Sequence, residues 1–479
     1  MCSFIYDLVL LSVQKIKEFR TLLFYDGYEE PYQPKTFSSP LFLVKKLITF
    51  YKKYFTMKHQ ILSVAVILSA LVVSCKKDKM DTISPVNPTQ ATLTFENVVK
   101  PMKYVESGIF KGEGSVQMDN KEIKNLILPS NDPKTNSASF TFHAGKGQRL
   151  MFTMMFGASK DWFFAAKQPG IELYDEKGNP KTGVITSDVS LWDNGSKENT
   201  NGTKEDKVIT SIKDKTMPQN LMKLILSYNE QSSAFTLKII NTSKGKKDTE
   251  GNSLETPFAP GVWVVANTLG GKLLDEKPFF EAGQKSTKEL TILSETGNPE
   301  PLYQKVKAQT GIITGLSPAV VVVYTGNKNP LFTMGQKATE GLKKLSQIGD
   351  VKAFQMELKK LKEVKEVYIA GNAPIAPNTK VMTTIKKATG DKVAYALMFG
   401  YSNDWFYANS TNILTTDRGN LTDKTALYDS GTGVDQFPGA GNKQALFGGI
   451  PQKEDKVIEK EGNVFPLPKT NEVIKVTLQ

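Results

Sequence analysis

The sequence predicts a mainly β chain: two antiparallel β-sandwich domains with a small α/β insert that contains a duplicated strand-helix-helix unit. Three observations lead there. Short alternating apolar runs, such as those around Phe140–Phe142 and Met151–Phe156, are separated by Gly/Asn/Asp turns, which is sandwich patterning rather than βαβ patterning. A long pattern of this kind occurs twice, once in each half of the chain. A shorter internal repeat lies between the two copies.

Residues 1–56 are too long for a signal n-region and carry three acidic-aromatic clusters. They are expected to be a mis-called extension, with Met57 as the true start. The alternative is an amphipathic leader in which Leu41–Phe55 lies on a membrane surface. Residues 57–74 read as a signal peptide. The apolar run Ile61–Ser74 has fourteen residues, whereas a helix needs about 20 to cross a ~30 Å hydrocarbon core. Val72-Val73-Ser74-Cys75 resembles a bacterial lipobox, and Cys75-Lys76-Lys77-Asp78 resembles the start of surface-displayed lipoproteins of the Bacteroidetes group. That resemblance implies a diacylated Cys75 as the mature N-terminus. It also implies a lipid anchor to the membrane and a place at the outer membrane or cell surface. Residues 75–90 lack apolar periodicity and form a tether.

The formal charge of +12 shrinks once residues 1–74 are removed. Nine Lys/Arg and five Asp/Glu go with them, leaving 52 against 44 and a net charge of +8. With no clustered Arg, that thin excess describes a solvated basic surface and excludes nucleic acid as a partner. Two histidines and two cysteines in 479 residues exclude a His/Cys metal centre and a disulfide framework. P-loop and dinucleotide fingerprints are absent.

The first sandwich is placed at 91–243, the insert at 244–369 and the second sandwich at 370–479. Within the insert, Pro278–Asn298 aligns without gaps on Pro330–Asp350, with ten of twenty-one positions identical. Each copy follows a β-branched run (Val262–Val265, then Val320–Tyr324) and precedes an apolar i, i+4 pair, Leu302/Val306 and Phe354/Leu358. Strand, glycine turn, helix with a leucine stripe, glycine stop and second helix is the economical reading, with the stripes as core.

The longer repeat carries the polar motifs. Asp161-Trp162-Phe163 and Asp193-Asn194-Gly195-Ser196 in the first copy answer Asp404-Trp405-Phe406 and Asp429-Ser430-Gly431-Thr432 in the second. The second copy adds a glycine-rich, Gln-containing stretch, Pro438–Gln444. These motifs resemble the spondin N-terminal domain, over about 90–243 and 370–479. Thr256–Trp263 also looks like a segment found inside bacterial relatives. The resemblance implies eight-stranded sandwiches related to calcium-dependent phospholipid-binding modules. It implies a Ca2+ ion at one end of each, with Asp161 and Asp193, and Asp404 and Asp429, as ligands.

Calcium takes six to eight hard oxygens at ~2.3–2.6 Å, which two loop carboxylates with carbonyls and water can supply. The first copy departs from the pattern at Lys160 and Lys197, either of which can stand in for the cation. No Glu occurs near Phe142 or Ile385, where animal members place a further ligand. The open alternative is that each Asp caps its own turn. Trp162-Phe163 and Trp405-Phe406 are read as core rather than as a sugar-stacking platform. The expected function is a non-enzymatic surface lipoprotein that binds calcium and an extracellular matrix or glycan ligand. The alternatives are a hydrolase of extracellular polysaccharide that uses the same carboxylates, and a scaffold without a ligand.

Overall fold

The computed structural model describes residues 90–479 apart from 199–200, 214–215 and 463–464. The extension 1–56, the signal segment 57–74, Cys75 and the tether up to residue 89 lie outside the described residues. Among the described residues, no helix is long and apolar enough to cross a membrane.

The chain opens with β1 (Gln90–Asn97) and β2 (Tyr104–Phe110), then β3 (Ser137–His143), β4 (Arg149–Phe156), β5 (Trp162–Ala166) and β6 (Gly183–Val184). After these come β7 (Val189–Asp193), β8 (Thr210–Ile212), β9 (Met222–Asn229), β10 (Ala234–Asn241) and β11 (Phe258–Ala266). Helices α1 (Lys288–Thr296) and α2 (Glu300–Lys307) follow, then β12 (Ala319–Tyr324), α3 (Glu340–Ile348) and α4 (Val351–Leu358). The second half continues with β13 (Val364–Ala370), β14 (Lys380–Lys386), β15 (Lys392–Met398) and β16 (Trp405–Asn409). It ends with β17 (Gly419–Asn420), β18 (Thr425–Asp429), β19 (Glu459–Lys460) and β20 (Ile474–Leu478).

Two antiparallel sandwiches result, as the sequence predicts. In the first, a sheet in the order β8-β7-β5-β4-β11-β2 faces a smaller one, β3-β10-β9-β6. In the second, β13-β12-β15-β16-β18-β19 faces β14-β1-β20-β17. Aromatic side chains bridge the layers: Trp263 lies 5.1 Å from Phe140 in the first sandwich, and Phe95 lies 5.2 Å from Tyr395 in the second.

The duplicated strand-helix-helix unit is present, but its parts are shared out between the sandwiches. β11 and β12 sit inside the two larger sheets, and each helix pair covers the outer face of its own sheet. The domain boundaries drawn from the sequence are corrected accordingly, since residues 244–369 do not form a separate layer. The reason is burial. β12 is apolar and buried at every position, so it needs cover on both faces, and Leu342, Leu345, Phe354 and Leu358 supply one of them. The first helix of each pair stops at the expected glycine, Gly297 and Gly349 at φ 69° and 72°, and starts at a cap the sequence reading did not name, Thr287 and Thr339.

The boundary at 90/91 is corrected too. β1 does not join the first sandwich; it runs between β14 and β20 in the second, with Leu93 paired to both Thr383 and Leu478. It occupies the place that β10 holds in the first. The ends of the two strands show the equivalence. Asn241 Nδ2 donates to the carbonyls of Ile127 and Thr256, and Asn97 Nδ2 donates to those of Ile375 and Thr314. The two sandwiches are thus circular permutants of one another: β11-α1-α2 ends the first, and β12-α3-α4 begins the second.

Candidate functional site

One turn positions Asp161 and Asp404. Ser159 Oγ accepts from Trp162 N and donates to Phe156 O; Ser402 Oγ does the same between Trp405 N and Phe399 O. Each Asp therefore sits one residue before its strand. Across the ladder, Trp162 pairs with Asp193 and Trp405 with Asp429. The structure thus brings together both pairs that the sequence singles out, each at one end of its larger sheet.

Much of each carboxylate holds turns in place. Asp404 Oδ2 accepts from Thr432 N (2.6 Å), Gly433 N (2.9 Å), Ser430 Oγ (2.8 Å) and Thr432 Oγ1 (3.1 Å). Asp161 Oδ2 accepts from Ser196 N and Lys197 N. Asp193 and Asp429 each accept from the N–H of the glycine two residues on, at 2.7 Å. Those glycines stand at φ 69° and 68°, and a Cβ on Gly431 would lie 2.7 Å from the backbone of Lys456. The turn-capping role is therefore real.

It leaves oxygens over. Asp404 is fully buried, yet its Oδ1 has no hydrogen-bond partner, and neither does buried Asp435 Oδ1 or Glu454 Oε2. Burial and then the neighbouring Asp404 push the Asp429 carboxyl up to about 7. Burial, then Asp429, Asp404, Glu461 and Glu454, push Asp435 up to about 8. Burial also raises Asp404, against the pull of its four donors. The second sandwich thus gathers five carboxylates whose charges repel one another. Among the described residues, no three His, Cys, Asp or Glu side chains already stand in metal-ligating geometry. Their chemistry, with hard oxygens left unpaired in a buried setting, nonetheless fits a hard divalent cation.

The first copy differs. Its Asp161 is also raised, by burial first, and its Oδ1 lacks a partner. Here, however, Trp162 Nε1 donates to Asp193 Oδ2 at 3.1 Å, whereas buried Trp405 Nε1 has no partner. Lys197 stands where the second copy has Gly433, and its Nζ pairs with Glu295 at 2.7 Å. Lys160 stands where the second copy has Asn403. Ile212 occupies the position of Glu461, both placed by the strand that carries Leu191 or Leu427. The set in the first sandwich does not fit a cation as the second does.

Three residues escaped sequence reasoning. Glu454 had a clear signal: Lys204–Ile209 and Lys453–Ile458 are the same hexapeptide, Lys-Glu-Asp-Lys-Val-Ile, hydrogen-bonded alike to Gly195 and Gly431. Asp435 and Glu461 had none, since the first copy lacks matching acids. Phe163, Phe406 and Trp405 are buried, as the core reading expects. No protein-family model matches the chain, and no curated protein matches it.

Proposed function

We propose that the chain is a non-catalytic, lipid-anchored surface protein whose second sandwich binds calcium and serves adhesion or the capture of an extracellular ligand. The observation that carries this reading is the set of unpartnered carboxylate oxygens on Asp404, Asp435 and Glu454 beside Asp429. Asp404 Oδ1, Asp429, Asp435 and Glu454 would hold the ion, which would neutralise their mutual repulsion. The affinity expected for such an extracellular site is about 10⁻⁴–10⁻³ M. In the first sandwich, Asp161 and Asp193 offer a weaker version, or none. The spondin resemblance, the anchor at Cys75 and the outer-membrane or cell-surface location belong to the same reading and rest on the sequence motifs.

Thermal melting in calcium and in EGTA tests it. Calcium at 100 times Kd adds about 2.7 kcal/mol to the native state and raises the midpoint. Asp404→Asn and Asp429→Asn should each abolish that rise; a midpoint blind to calcium in the parent protein would reject the site. For the anchor, palmitate labelling should be lost in Cys75→Ser. A second reading, a carboxylate-dependent hydrolase acting on extracellular polysaccharide, is favoured by the raised Asp429 and Asp435 carboxyls, which suit a general acid. Polysaccharide turnover that Asp429→Asn removes would select it.

A further inference from the structure

Between the residue that follows each Asp-x-Gly-Ser/Thr turn (Lys197 or Gly433) and the repeated hexapeptide, the first copy has six residues, 198–203, and the second has nineteen, 434–452. Both loops spring from the same closing bond: Glu198 N donates to Thr203 O, and Val434 N to Gln452 O. The thirteen extra residues do not fold back on their own sandwich alone. Gln436 Nε2 donates to Ser233 Oγ at 2.6 Å, Phe437 stacks on His143 at 4.8 Å, and the carbonyl of Gly439 accepts from Gln148 Nε2 at 2.8 Å. Ser233 follows β9, while His143 and Gln148 flank the turn between β3 and β4, so every one of these seats is in the first sandwich.

The root of the loop is the carboxylate cluster. Gly433 N binds Asp404 Oδ2, Asp435 is one of the five acids, and Gln436 N donates to Asn403 Oδ1 beside Asp404. Glu454 lies two residues past the other end. We propose that loop 434–452 is a cation-gated clamp, in which a divalent cation at its root sets how firmly its tip holds the first sandwich. The clamp rests on the calcium reading above. A cation drawing Asp435 and Glu454 together fixes both ends of the loop at once. Without it, the backbone bond from Val434 N to Gln452 O still ties the ends, but the carboxyls beside it must hold protons or repel one another, which opposes that closure. Coupling of this kind is reciprocal: whatever factor calcium adds to docking, docking adds to calcium affinity.

Hydrogen-exchange mass spectrometry of the full chain in calcium and in EGTA, beside calorimetry with calcium alone, tests the clamp. Calcium should slow exchange in 436–447 and also in the seats, 143–148 and 228–233, by about fivefold or more. Gln436→Ala/Phe437→Ala should still bind calcium, several-fold more weakly, and lose the slowing at both seats. His143→Ala removes one seat from the other side and should weaken the coupling without touching the loop. Calcium binding with unchanged exchange at the seats would overturn the clamp and leave the site standing, as would seats that slow equally in the double variant. Absence of any calorimetric binding would overturn the site reading and the clamp with it.

Discussion

Replacing Asp404 by Asn and by Ala separates the work of its two oxygens. In Asp404→Ala, the N–H groups of Thr432 and Gly433 lose their acceptor. Each buried, unsatisfied donor costs about 1–3 kcal/mol, so the loss is about 2–6 kcal/mol against a typical total of about 5–15. The hydroxyls add little, because Ser430 Oγ keeps Ser346 Oγ at 3.0 Å and Thr432 Oγ1 keeps Gln347 Nε2 at 3.0 Å. Asp404→Asn keeps an oxygen for those two N–H groups. It places its NH2 where Oδ1 now lacks a partner, and it removes one charge from the cluster. In EGTA the Asn variant should therefore match or exceed the parent, and the Ala variant should fall well below it. Neither should bind calcium. Guanidinium unfolding followed by tryptophan fluorescence measures the first effect, with Trp405 adjacent to the change, and calorimetry measures the second. Equal stability of the two variants would refute the account of Oδ2, and calcium binding retained by Asp404→Asn would refute that of Oδ1.

In EGTA the melting temperature should fall as pH rises from about 5 to 8. The Asp429 and Asp435 carboxyls, at about 7 and about 8, stay protonated in the fold where the unfolded chain is ionised. Stability present below pH about 4 is thus lost as pH climbs through those values, and a flat profile would contradict it. A circular permutant that opens the chain between β1 and β2 and joins Gln479 to Gln90 by a short turn should fold. Gln479 already pairs with Thr92, so the join makes the hairpin that β9 and β10 make in the first sandwich; an unfolded second sandwich by circular dichroism would rule this out. Gly431→Ala should cost more than about 1 kcal/mol and clearly more than Gly270→Ala. A Cβ at Gly431 meets the Lys456 backbone, whereas at Gly270, also at positive φ, it meets open space. Equal losses in chemical denaturation would undo that argument.

The sandwiches were legible because their strands carry burial in the sequence. β10 alternates, with Phe235, Leu237 and Ile239 inward, which fixes a one-sided strand; Val320–Val323 does not alternate, which fixes a two-sided one. The placement of β1 was not legible. Ala91, Leu93 and Phe95 show that one face is buried but not which sheet buries it, since pairing with β14 and β20 spans almost the whole chain. The paired aspartates were legible from motif spacing, because Asp-Trp-Phe and Asp-x-Gly are local turns whose ladder positions face each other. Asp435 was hidden because it belongs to a loop with no counterpart, where no register exists to place it.

Comparing the copies explains why the same turn chemistry ends in two different electrostatic states. Both use one aspartate oxygen to tie a strand end to the next turn, which needs a carboxylate but not a cation. In the first sandwich less charge is left over: Trp162 binds Asp193, and an isoleucine stands at the position of Glu461. In the second, Trp405 leaves Asp429 unbound by its indole, and two further acids arrive on segments the first copy lacks or fills otherwise. Lys456 pairs with Glu454 through one oxygen, as Lys207 does with Glu205 in the first copy, and Glu454 Oε2 is left without a hydrogen-bond partner. Burial and neighbouring carboxylates raise the proton affinity of Asp429 and Asp435, so this end of the sandwich favours added positive charge, as protons or as a cation. Near neutral pH protons are scarce enough for a divalent ion at about 10⁻⁴–10⁻³ M to compete with them, so the second sandwich is where the proposed calcium site should be tested first.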